Sequence, residues 1–467
     1  MPTAITRWLL ALSISILATG LLPVNAARAQ DAVGEWNGLL RISGVELRLG
    51  VTIERAADGA LKGAMTSPDQ GSPAIPLSDV RMEQGKLTFM VPVIRGAYEG
   101  QWDAGQGVWS GQWTQGAPLP LTLAKGPVPP RARPQLPAKP YPYREEEVAF
   151  DSAPGVKLAG TLTLPSGAGP FPAAVLITGS GAQDRDEYLL GHRPFLVLAD
   201  HLTRQGIAVL RYDDRGYGKS TGRFQTATST DFAVDAAAAV AFLRGRKEID
   251  PRRVGLIGHS EGGMVAPMAA VKDPKIAFVV LLAGPGAPSR QLMAAQRAAV
   301  GKAMGVPADA ITRNEVMAGR IDAVLADTAD WETAKIEATK LIGEGAAALG
   351  RPADQVIAAN QLLFTAWYRE FIAYDPRPNL AKLAMPVLAV NGSNDLQVVA
   401  SLNLPAIREA LKSNQDATVL ELPGLNHLFQ TSATGDPRDY GRIEETFAPA
   451  ALTTISDWVV ARTGARR

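Results

Sequence analysis

A single serine combines the residue type and the setting that nucleophilic chemistry requires. It is Ser260, in the sequence Gly258-His259-Ser260-Glu261-Gly262. An apolar run precedes this sequence and an Ala- and Met-rich stretch follows it, which predicts a strand, a sharp turn and a helix. The two glycines let the backbone turn tightly, so that the hydroxyl is held at the strand end above a helix N-terminus. A serine in such a turn is typical of a nucleophile that forms an acyl-enzyme intermediate.

A serine nucleophile needs a general base, and histidine is scarce in this chain, with four in 467 residues. His192 and His201 come before Ser260, and His259 is part of the turn itself. His427 lies just after the last predicted strand, so that the chain order serine, acid, histidine is met. His427 is therefore the predicted base.

The third member of a catalytic triad is an acid that accepts the Nδ1 proton of the histidine. Asp395 follows a strongly apolar run at residues 387–390 and is the predicted acid. It would fix the tautomer of His427 and stabilise the imidazolium that forms during the reaction. Asp375 is the alternative, although no predicted strand precedes it.

Backbone N–H groups must stabilise the negative charge that develops on a substrate oxygen. One is expected from Glu261, the residue after the nucleophile, and the other from the glycine-rich loop at residues 178–184. Ser180 is the first choice in that loop and Gly181 is the alternative. The loop lacks the full spacing of a dinucleotide-binding fingerprint, and the chain has no cysteine for a thiol nucleophile or a Cys-based zinc site. We therefore expect neither a metal nor an organic cofactor.

The elements that would position these residues follow a regular alternation across residues 145–467. Short apolar runs alternate with amphipathic stretches, which predicts an α/β domain with a mostly parallel sheet covered by helices on both faces. Residues 289–383 break this alternation with an Ala-, Glu-, Lys- and Leu-rich helical pattern, which predicts a helical cap inserted above the sheet. The apolar runs are residues 173–178, 208–212, 254–258, 278–282, 387–390 and 418–422.

The N-terminal part of the chain has a different pattern. Residues 30–124 alternate apolar and polar positions between turn residues, which predicts a small antiparallel all-β domain of lipocalin-like type. Trp36, Trp102 and Trp113 recur in Gly-x-Trp sequences and are interpreted as packing residues, with a ligand pocket inside the domain as the alternative. Seven prolines mark residues 125–144 as a semi-rigid linker.

Residues 1–29 have the pattern of a secretory signal peptide, in which a basic residue, Arg7, precedes an apolar segment and a small-x-small cleavage sequence. No later stretch reaches the ~20 apolar residues that a membrane span needs. The formal net charge of +1 provides no electrostatic basis for binding nucleic acid. We therefore expect a periplasmic or secreted protein with no nucleic-acid partner and no stable membrane insertion.

At these motifs the chain resembles the α/β-hydrolase superfamily, and within it bacterial carboxylesterases and serine-peptidase-like hydrolases that carry an N-terminal β domain. The resemblance covers about residues 149–461. It implies an α/β-hydrolase fold in which Ser260, Asp395 and His427 form the catalytic triad. The motifs that carry it are residues 178–186, 212–220, 258–262, 391–395 and 426–427.

The resemblance also bears on two loops near the site. The stretch Asp-x-Arg-Gly-x-Gly-x-Ser is a structural loop in such enzymes, so Asp214 and Arg215 are expected to form an ion pair rather than to act in catalysis. The first oxyanion loop departs from the common pattern, because it reads Thr178-Gly179 rather than His-Gly. This departure leaves the donor in that loop open.

Together these residues predict a serine hydrolase, a carboxylesterase that cleaves a small-molecule ester through an acyl-enzyme intermediate. A serine aminopeptidase-like hydrolase and a thioester hydrolase are the alternatives within catalysis. A non-catalytic periplasmic binding protein is the alternative from another class, and the intact set of Ser260, Asp395 and His427 disfavours it. No pattern indicates the natural substrate, its acyl length or the oligomeric state.

Overall fold

The computed structural model describes residues 31–42, 45–70 and 74–465. The signal peptide predicted at residues 1–29 lies outside the described residues. The described residues form two compact units, which are divided between Pro129 and Pro130.

The first unit is an antiparallel meander of nine strands in the order β4-β3-β2-β1-β9-β8-β7-β6-β5. Leu77 N–H donates to Gly63 O of β3 at 2.9 Å, so the segment that leads into β5 lies against β3 and the sheet is nearly closed into a barrel. The prediction of an antiparallel all-β module is confirmed. The strands are β1 (Gly34–Ile42), β2 (Val45–Arg55), β3 (Leu61–Thr66), β4 (Ile75–Pro76), β5 (Ser78–Glu83), β6 (Lys86–Val91), β7 (Gly96–Asp103), β8 (Val108–Gln115) and β9 (Ala117–Lys125).

Tryptophan side chains fill the interior of this first unit. Trp36, Trp109 and Trp113 are buried. The ring centroid of Trp36 lies 6.1 Å from that of Trp102 and 6.0 Å from that of Trp109, in edge-to-face geometry. Such contacts add to the apolar area that the rings bury, so these residues act as packing residues of the core.

The second unit contains an eight-stranded sheet in the order β10-β11-β13-β12-β14-β15-β16-β17. The β10–β11 and β11–β13 pairs are antiparallel, and every other neighbouring pair is parallel. The strands are β10 (Arg144–Asp151), β11 (Lys157–Leu164), β12 (Phe171–Ile177), β13 (Ala208–Tyr212), β14 (Ile249–His259), β15 (Val279–Leu282), β16 (Val387–Gly392) and β17 (Ala417–Leu422).

Helices cover both faces of this sheet. Helices α2, α3 and α10 pack on the face that contains Val175, and helices α1 and α11 pack on the face that contains Leu176. Burial on both faces explains why the strands are continuously apolar. The helices are α1 (Pro194–Arg204), α2 (Ser229–Arg244), α3 (Gly262–Ala270), α4 (Ser289–Ala303), α5 (Ala308–Asp327), α6 (Trp331–Ala348), α7 (Ala353–Ala359), α8 (Ala366–Ala373), α9 (Arg377–Leu380), α10 (Ala400–Ala410) and α11 (Pro449–Thr463).

Helices α4 to α9 lie between β15 and β16 in the chain and form the inserted cap. The cap has a small apolar core of its own, which includes Leu325, Ile342, Tyr368 and Ile372. The predicted α/β-hydrolase fold with a helical cap insertion is confirmed.

The turn between β14 and α3 depends on glycine for steric reasons. A Cβ at Gly258 would lie 2.0 Å from Gly262 O, and a Cβ at Gly262 would lie 2.2 Å from Ile177 O. Both obstacles are backbone atoms, which cannot rotate away as a side chain does. By contrast, Gly343 on α6 has open space where a Cβ would stand.

Substitution at these two kinds of glycine is expected to have opposite effects on stability. Gly258→Ala should lower the free energy of unfolding by about 1–3 kcal/mol, because the added methyl group displaces packed backbone. Gly343→Ala should raise it by about 0.5–1 kcal/mol, because alanine has less backbone entropy to lose in a helix. Urea unfolding monitored by circular dichroism measures both changes. A Gly258→Ala protein with the wild-type midpoint would contradict the close approach.

Candidate active site

Ser260 occupies the sharp turn between β14 and α3. Its φ of 53° lies in the left-handed region. For a residue other than glycine this backbone conformation costs of order 1–3 kcal/mol and persists only where the surrounding structure holds it. Ser260 N–H donates to Leu282 O at 2.8 Å, which ties the turn to the end of β15. The structure has the predicted strand, turn and helix at this position.

The structure brings His427 and Asp395 together. Asp395 follows β16 and His427 follows β17, and His427 Nδ1 lies 2.8 Å from Asp395 Oδ2. The other carboxylate oxygen, Oδ1, accepts the N–H groups of Gln397 at 2.8 Å and Val398 at 2.9 Å. With Nδ1–H donated to the carboxylate, Nε2 of His427 is left as the acceptor for a proton. His427 and Ser260 line the same cavity.

Asp375, the alternative acid, is engaged elsewhere. Its carboxylate pairs with Arg377, with 2.6 Å between Asp375 Oδ2 and Arg377 Nη2. The geometry therefore favours Asp395 as the partner of His427.

The prediction of an ion pair between Asp214 and Arg215 is wrong. Asp214 accepts hydrogen bonds from Thr178 Oγ1 at 2.8 Å and from Gln183 N–H at 2.9 Å. Arg215 pairs instead with Asp235, at 2.7 Å from its Nε. Both residues lie in the loop after β13, which ends at Tyr212, and their side chains bind partners from different segments. Asp214 thus anchors the loop that carries the proposed oxyanion donor.

Two backbone N–H groups near Ser260 are left without an acceptor. Within the described part of the chain, neither Ser180 N–H nor Glu261 N–H donates a hydrogen bond to the protein. Gly179 N–H, by contrast, is bound to Glu187 Oε1 at 2.9 Å. Free donors beside a nucleophile suit a substrate oxyanion. The N–H of Gly181 is also unbonded to described residues, so this alternative to Ser180 stays open.

A cavity of about 260 Å³ lies between the turn at Ser260 and the cap. Ser180, Ser260, Glu261 and His427 line one side of it. None of its described lining residues is a lysine or an arginine. The cap contributes the apolar side chains of Leu292, Met293, Leu362, Trp367 and Phe371, and Leu189, Val398 and Leu428 add apolar side chains from outside the cap.

The side chain of Glu261 is a feature that sequence reasoning missed, since only its backbone N–H was considered. The carboxylate is buried, and its Oε1 accepts Ser229 Oγ at 2.5 Å and Trp367 Nε1 at 2.8 Å. Its Oε2 has no hydrogen-bond partner within the described chain. Burial raises the pKa of Glu261 above its ordinary value, while the hydrogen bonds from Ser229 and Trp367 act in the opposite direction. Glu261 therefore connects the turn, helix α2 and cap helix α8.

The pair formed by His259 and Glu187 was also missed. His259 Nδ1 lies 2.8 Å from Glu187 Oε1, and its Nε2 lies 2.9 Å from the backbone oxygen of His427. Burial lowers the pKa of His259, but the Glu187 carboxylate, the His427 carbonyl and Asp395 raise it, and the net pKa is raised. Glu187 lies in a segment outside the named helices and strands, so no periodic pattern could single it out. Glu187 is also far from the turn at Ser260 in the sequence, and nothing else in the sequence indicated a role for its carboxylate.

The described residues contain no group of three or more histidine, aspartate or glutamate side chains arranged to hold a metal ion. None of the helices within residues 31–465 that the structure describes is both long and apolar enough to span a membrane.

Several proteins to which the chain is similar are named as hydrolases. The chain is similar to esterase EstD of Thermotoga maritima, with 27% identity over 290 residues that cover 62% of this chain and 61% of that protein. It is also similar to the thiohydrolase aneE of Aspergillus aculeatus, with 33% identity over 135 residues that cover 29% of this chain and 40% of that protein. The chain therefore spans less than two thirds of the length of either relative. Among solved structures, the esterase Pf2001 of Pyrococcus furiosus matches with a TM-score of 0.43 and 16% identity, covering 72% of this chain and 98% of that one.

A family model matches more than half of the chain. The model describes the X-Pro dipeptidyl-peptidases of the S15 family, and it matches residues 154–427. The matched segment runs from β11 through the cap to His427 and includes Ser260 and Asp395. The chain is an α/β-hydrolase and belongs to the X-Pro dipeptidyl-peptidase (S15) family.

Proposed function

We propose that this hydrolase is a carboxylesterase that cleaves small-molecule esters with Ser260, His427 and Asp395 as its catalytic triad. The observation that carries the proposal is the 2.8 Å contact between His427 Nδ1 and Asp395 Oδ2, on the cavity that Ser260 also lines. This is the geometry that prepares an imidazole to act as a general base.

In the proposed mechanism, Ser260 Oγ attacks the ester carbonyl carbon while His427 Nε2 accepts the hydroxyl proton. The tetrahedral oxyanion is stabilised by the N–H groups of Ser180 and Glu261. The alcohol leaves with the proton from His427, and the acyl group remains on Ser260. Water then attacks the acyl-enzyme with His427 again as the base, and the carboxylic acid is released.

The cavity supports an ester with a short, uncharged acyl group. The cavity volume of about 260 Å³ lies just below the roughly 300–1,000 Å³ that is usual for small-molecule pockets, which favours a small acyl group and a small alcohol. Its apolar cap wall and its lack of lysine and arginine disfavour an anionic substrate. The name of the relative EstD also supports an ester.

A peptide with a free N-terminus is the alternative that the family name suggests, and a thioester is suggested by the name of the Aspergillus relative. Recognition of an ammonium group requires an available carboxylate. The acidic residues that line the cavity are Glu187 and Glu261. Glu187 already binds His259 and Gly179 N–H, whereas Oε2 of Glu261 is left without a hydrogen-bond partner within the described chain. The cavity therefore does not offer a pair of available carboxylates for an ammonium group, which favours the ester over the peptide.

We propose further that the enzyme acts in the periplasm or outside the cell. The support is the signal-peptide pattern at residues 1–29.

Replacement of the nucleophile tests the triad. Ser260→Ala should lower kcat for p-nitrophenyl acetate on the order of 10⁴-fold or more, because the acyl-enzyme can no longer form. A fluorophosphonate probe should label the wild type and not this variant. Ser413→Ala, which changes an exposed serine, is the control and should keep both activity and labelling. Equal labelling of Ser260→Ala would eliminate Ser260 as the nucleophile.

A panel of leaving groups and acyl lengths tests the substrate class. We expect kcat/KM to fall on the order of tenfold or more from p-nitrophenyl butyrate to the dodecanoate, because the longer chain exceeds the cavity. Dipeptidyl X-Pro anilides and acyl thioesters are the comparison substrates, at equal enzyme concentration. Faster cleavage of the anilide would replace the esterase assignment with a peptidase, and faster cleavage of the thioester would replace it with a thioesterase.

The hydrogen bond between Trp367 and Glu261 predicts a separate effect on substrate binding. Trp367→Phe keeps an aromatic ring that can stack on Phe371, whose centroid lies 5.1 Å from that of Trp367, but removes the N–H that Glu261 accepts. KM for short esters should rise up to about tenfold with kcat changed less than about threefold, since the net contribution of a hydrogen bond is about 0.5–1.5 kcal/mol. Trp331→Phe, on α6 and outside the cavity lining, is the control. An unchanged KM in Trp367→Phe would show that this contact does not shape the cavity.

A further inference from the structure

His259 has an acceptor at each of its two ring nitrogens. Nδ1 lies 2.8 Å from the carboxylate oxygen Oε1 of Glu187, and Nε2 lies 2.9 Å from the carbonyl oxygen of His427. A neutral imidazole carries one N–H and can donate to only one of them. The imidazolium carries two N–H groups and satisfies both, so the contacts themselves select the charged form of His259.

Another buried histidine in the same unit shows the opposite arrangement. His192 Nε2 lies 2.9 Å from Tyr440 O, but its Nδ1 lies 2.9 Å from Thr446 Oγ1, a hydroxyl that can itself donate. A neutral ring therefore satisfies both contacts. Burial, followed by the charge of Arg133, lowers the pKa of His192 to about 4. Burial and the charge of Arg133 together thus favour a neutral His192, whereas at His259 the carboxylate of Glu187 opposes burial.

The charged and titratable groups around His259 are Glu187, Asp395 and His427. Glu187 is in direct contact, Asp395 acts from farther away, and the ring centroids of His259 and His427 are 4.8 Å apart. Both acids favour the imidazolium, and burial opposes it. The side chains of His259 and Glu187 are only 8% and 5% exposed, so solvent screens their attraction weakly.

His259 and Glu187 connect two parts of the site whose positions matter for catalysis, the backbone of His427 and the proposed oxyanion loop. His259 holds the backbone oxygen of the very residue whose ring is the proposed base. The same oxygen of Glu187 that accepts from His259 also accepts Gly179 N–H, at the start of the proposed oxyanion loop. Glu187 has a φ of 54°, and strained backbone of this kind persists where surrounding contacts impose it.

We propose that Glu187 and His259 form a positioning pair for catalysis: Glu187 keeps His259 as an imidazolium, and the two residues together fix the backbone of His427 and of the oxyanion loop relative to Ser260. This inference rests on the proposed function for the role of His427. Neither residue touches the reacting atoms in this scheme. Their removal should therefore lower kcat through misplacement of the base rather than weaken substrate binding.

The protonation state of His259 can be measured in the folded wild-type protein. With histidine labelled by ¹⁵N, the chain shows four imidazole rings, and the signal lost in His259→Gln identifies His259. At pH 7 we expect two ring N–H groups on His259, and only one on His192 in the same spectrum. A singly protonated His259 at pH 7 would overturn the proposal. This measurement needs neither a substrate nor a folded Glu187 variant, so it remains decisive if the proposed esterase activity is absent.

The kinetic test replaces the carboxylate by an amide of the same shape. Glu187→Gln should lower kcat for p-nitrophenyl acetate about 10- to 100-fold, with KM changed less than about threefold, because a base displaced by about 1 Å loses rate to that extent. Glu421→Gln, an exposed change on β17, is the control and should leave both constants unchanged.

The pH dependence of kcat in Glu187→Gln and Glu421→Gln distinguishes a positioning role of Glu187 from a general loss of structure. The imidazolium of His259 is present below its raised pKa and is lost as the pH rises through it, so it contributes to an alkaline limb of kcat. Without the Glu187 carboxylate the pKa of His259 falls, and the alkaline limb should move by about one pH unit or more to lower pH. A Glu187→Gln enzyme with wild-type kcat and a wild-type alkaline limb would overturn the proposal while leaving the esterase assignment intact. A wild type without esterase activity would instead remove the proposed function.

Discussion

The site depends on how closely the backbone approaches itself at the end of β14. There is no room for a Cβ at Gly258, because Gly262 O stands 2.0 Å from where it would lie. At Gly262 the obstacle is Ile177 O, which belongs to the end of β12. This approach holds Ser260 in a left-handed conformation and directs the N-terminus of α3 toward its hydroxyl. Since the loop with Ser180 follows β12, the contact also places the proposed oxyanion donor beside the nucleophile.

Parallel pairing then assembles the rest of the site. Strands β12, β14, β16 and β17 all run the same way in the sheet, so the loops that follow them emerge at one edge. Residues that are far apart in the chain, such as Ser260 and His427, meet there without any local sequence relation. The cap is inserted between β15 and β16 and therefore closes the same edge.

The part of this arrangement that follows from periodicity could be predicted. Continuous apolar runs predicted the strands, the glycines around Ser260 predicted the turn, and the scarcity of histidine singled out His427. Contacts between side chains on different loops could not be predicted in this way. The expected pair of Asp214 and Arg215 was wrong because Asp214 binds the loop after β12 and Arg215 binds Asp235 of α2. The roles of Glu187 and of the Glu261 carboxylate depend on burial and on partners from distant segments, which a single sequence does not specify.

The carboxylates of Asp395, Glu187 and Glu261 differ in which groups balance their charge. Asp395 is held by the His427 ring and two backbone N–H groups, and Glu187 faces the ring of His259 and Gly179 N–H. Glu261 has no cationic partner among the described residues, and burial raises its pKa. Its backbone N–H is the proposed donor to the oxyanion, so a negative charge develops close to this carboxyl group during the reaction. A raised pKa increases the neutral fraction of Glu261 at a given pH, and the neutral form repels the oxyanion less. The hydrogen bond from Trp367 acts in the opposite direction, so the cap contributes to the protonation state of Glu261 as well as to the shape of the cavity.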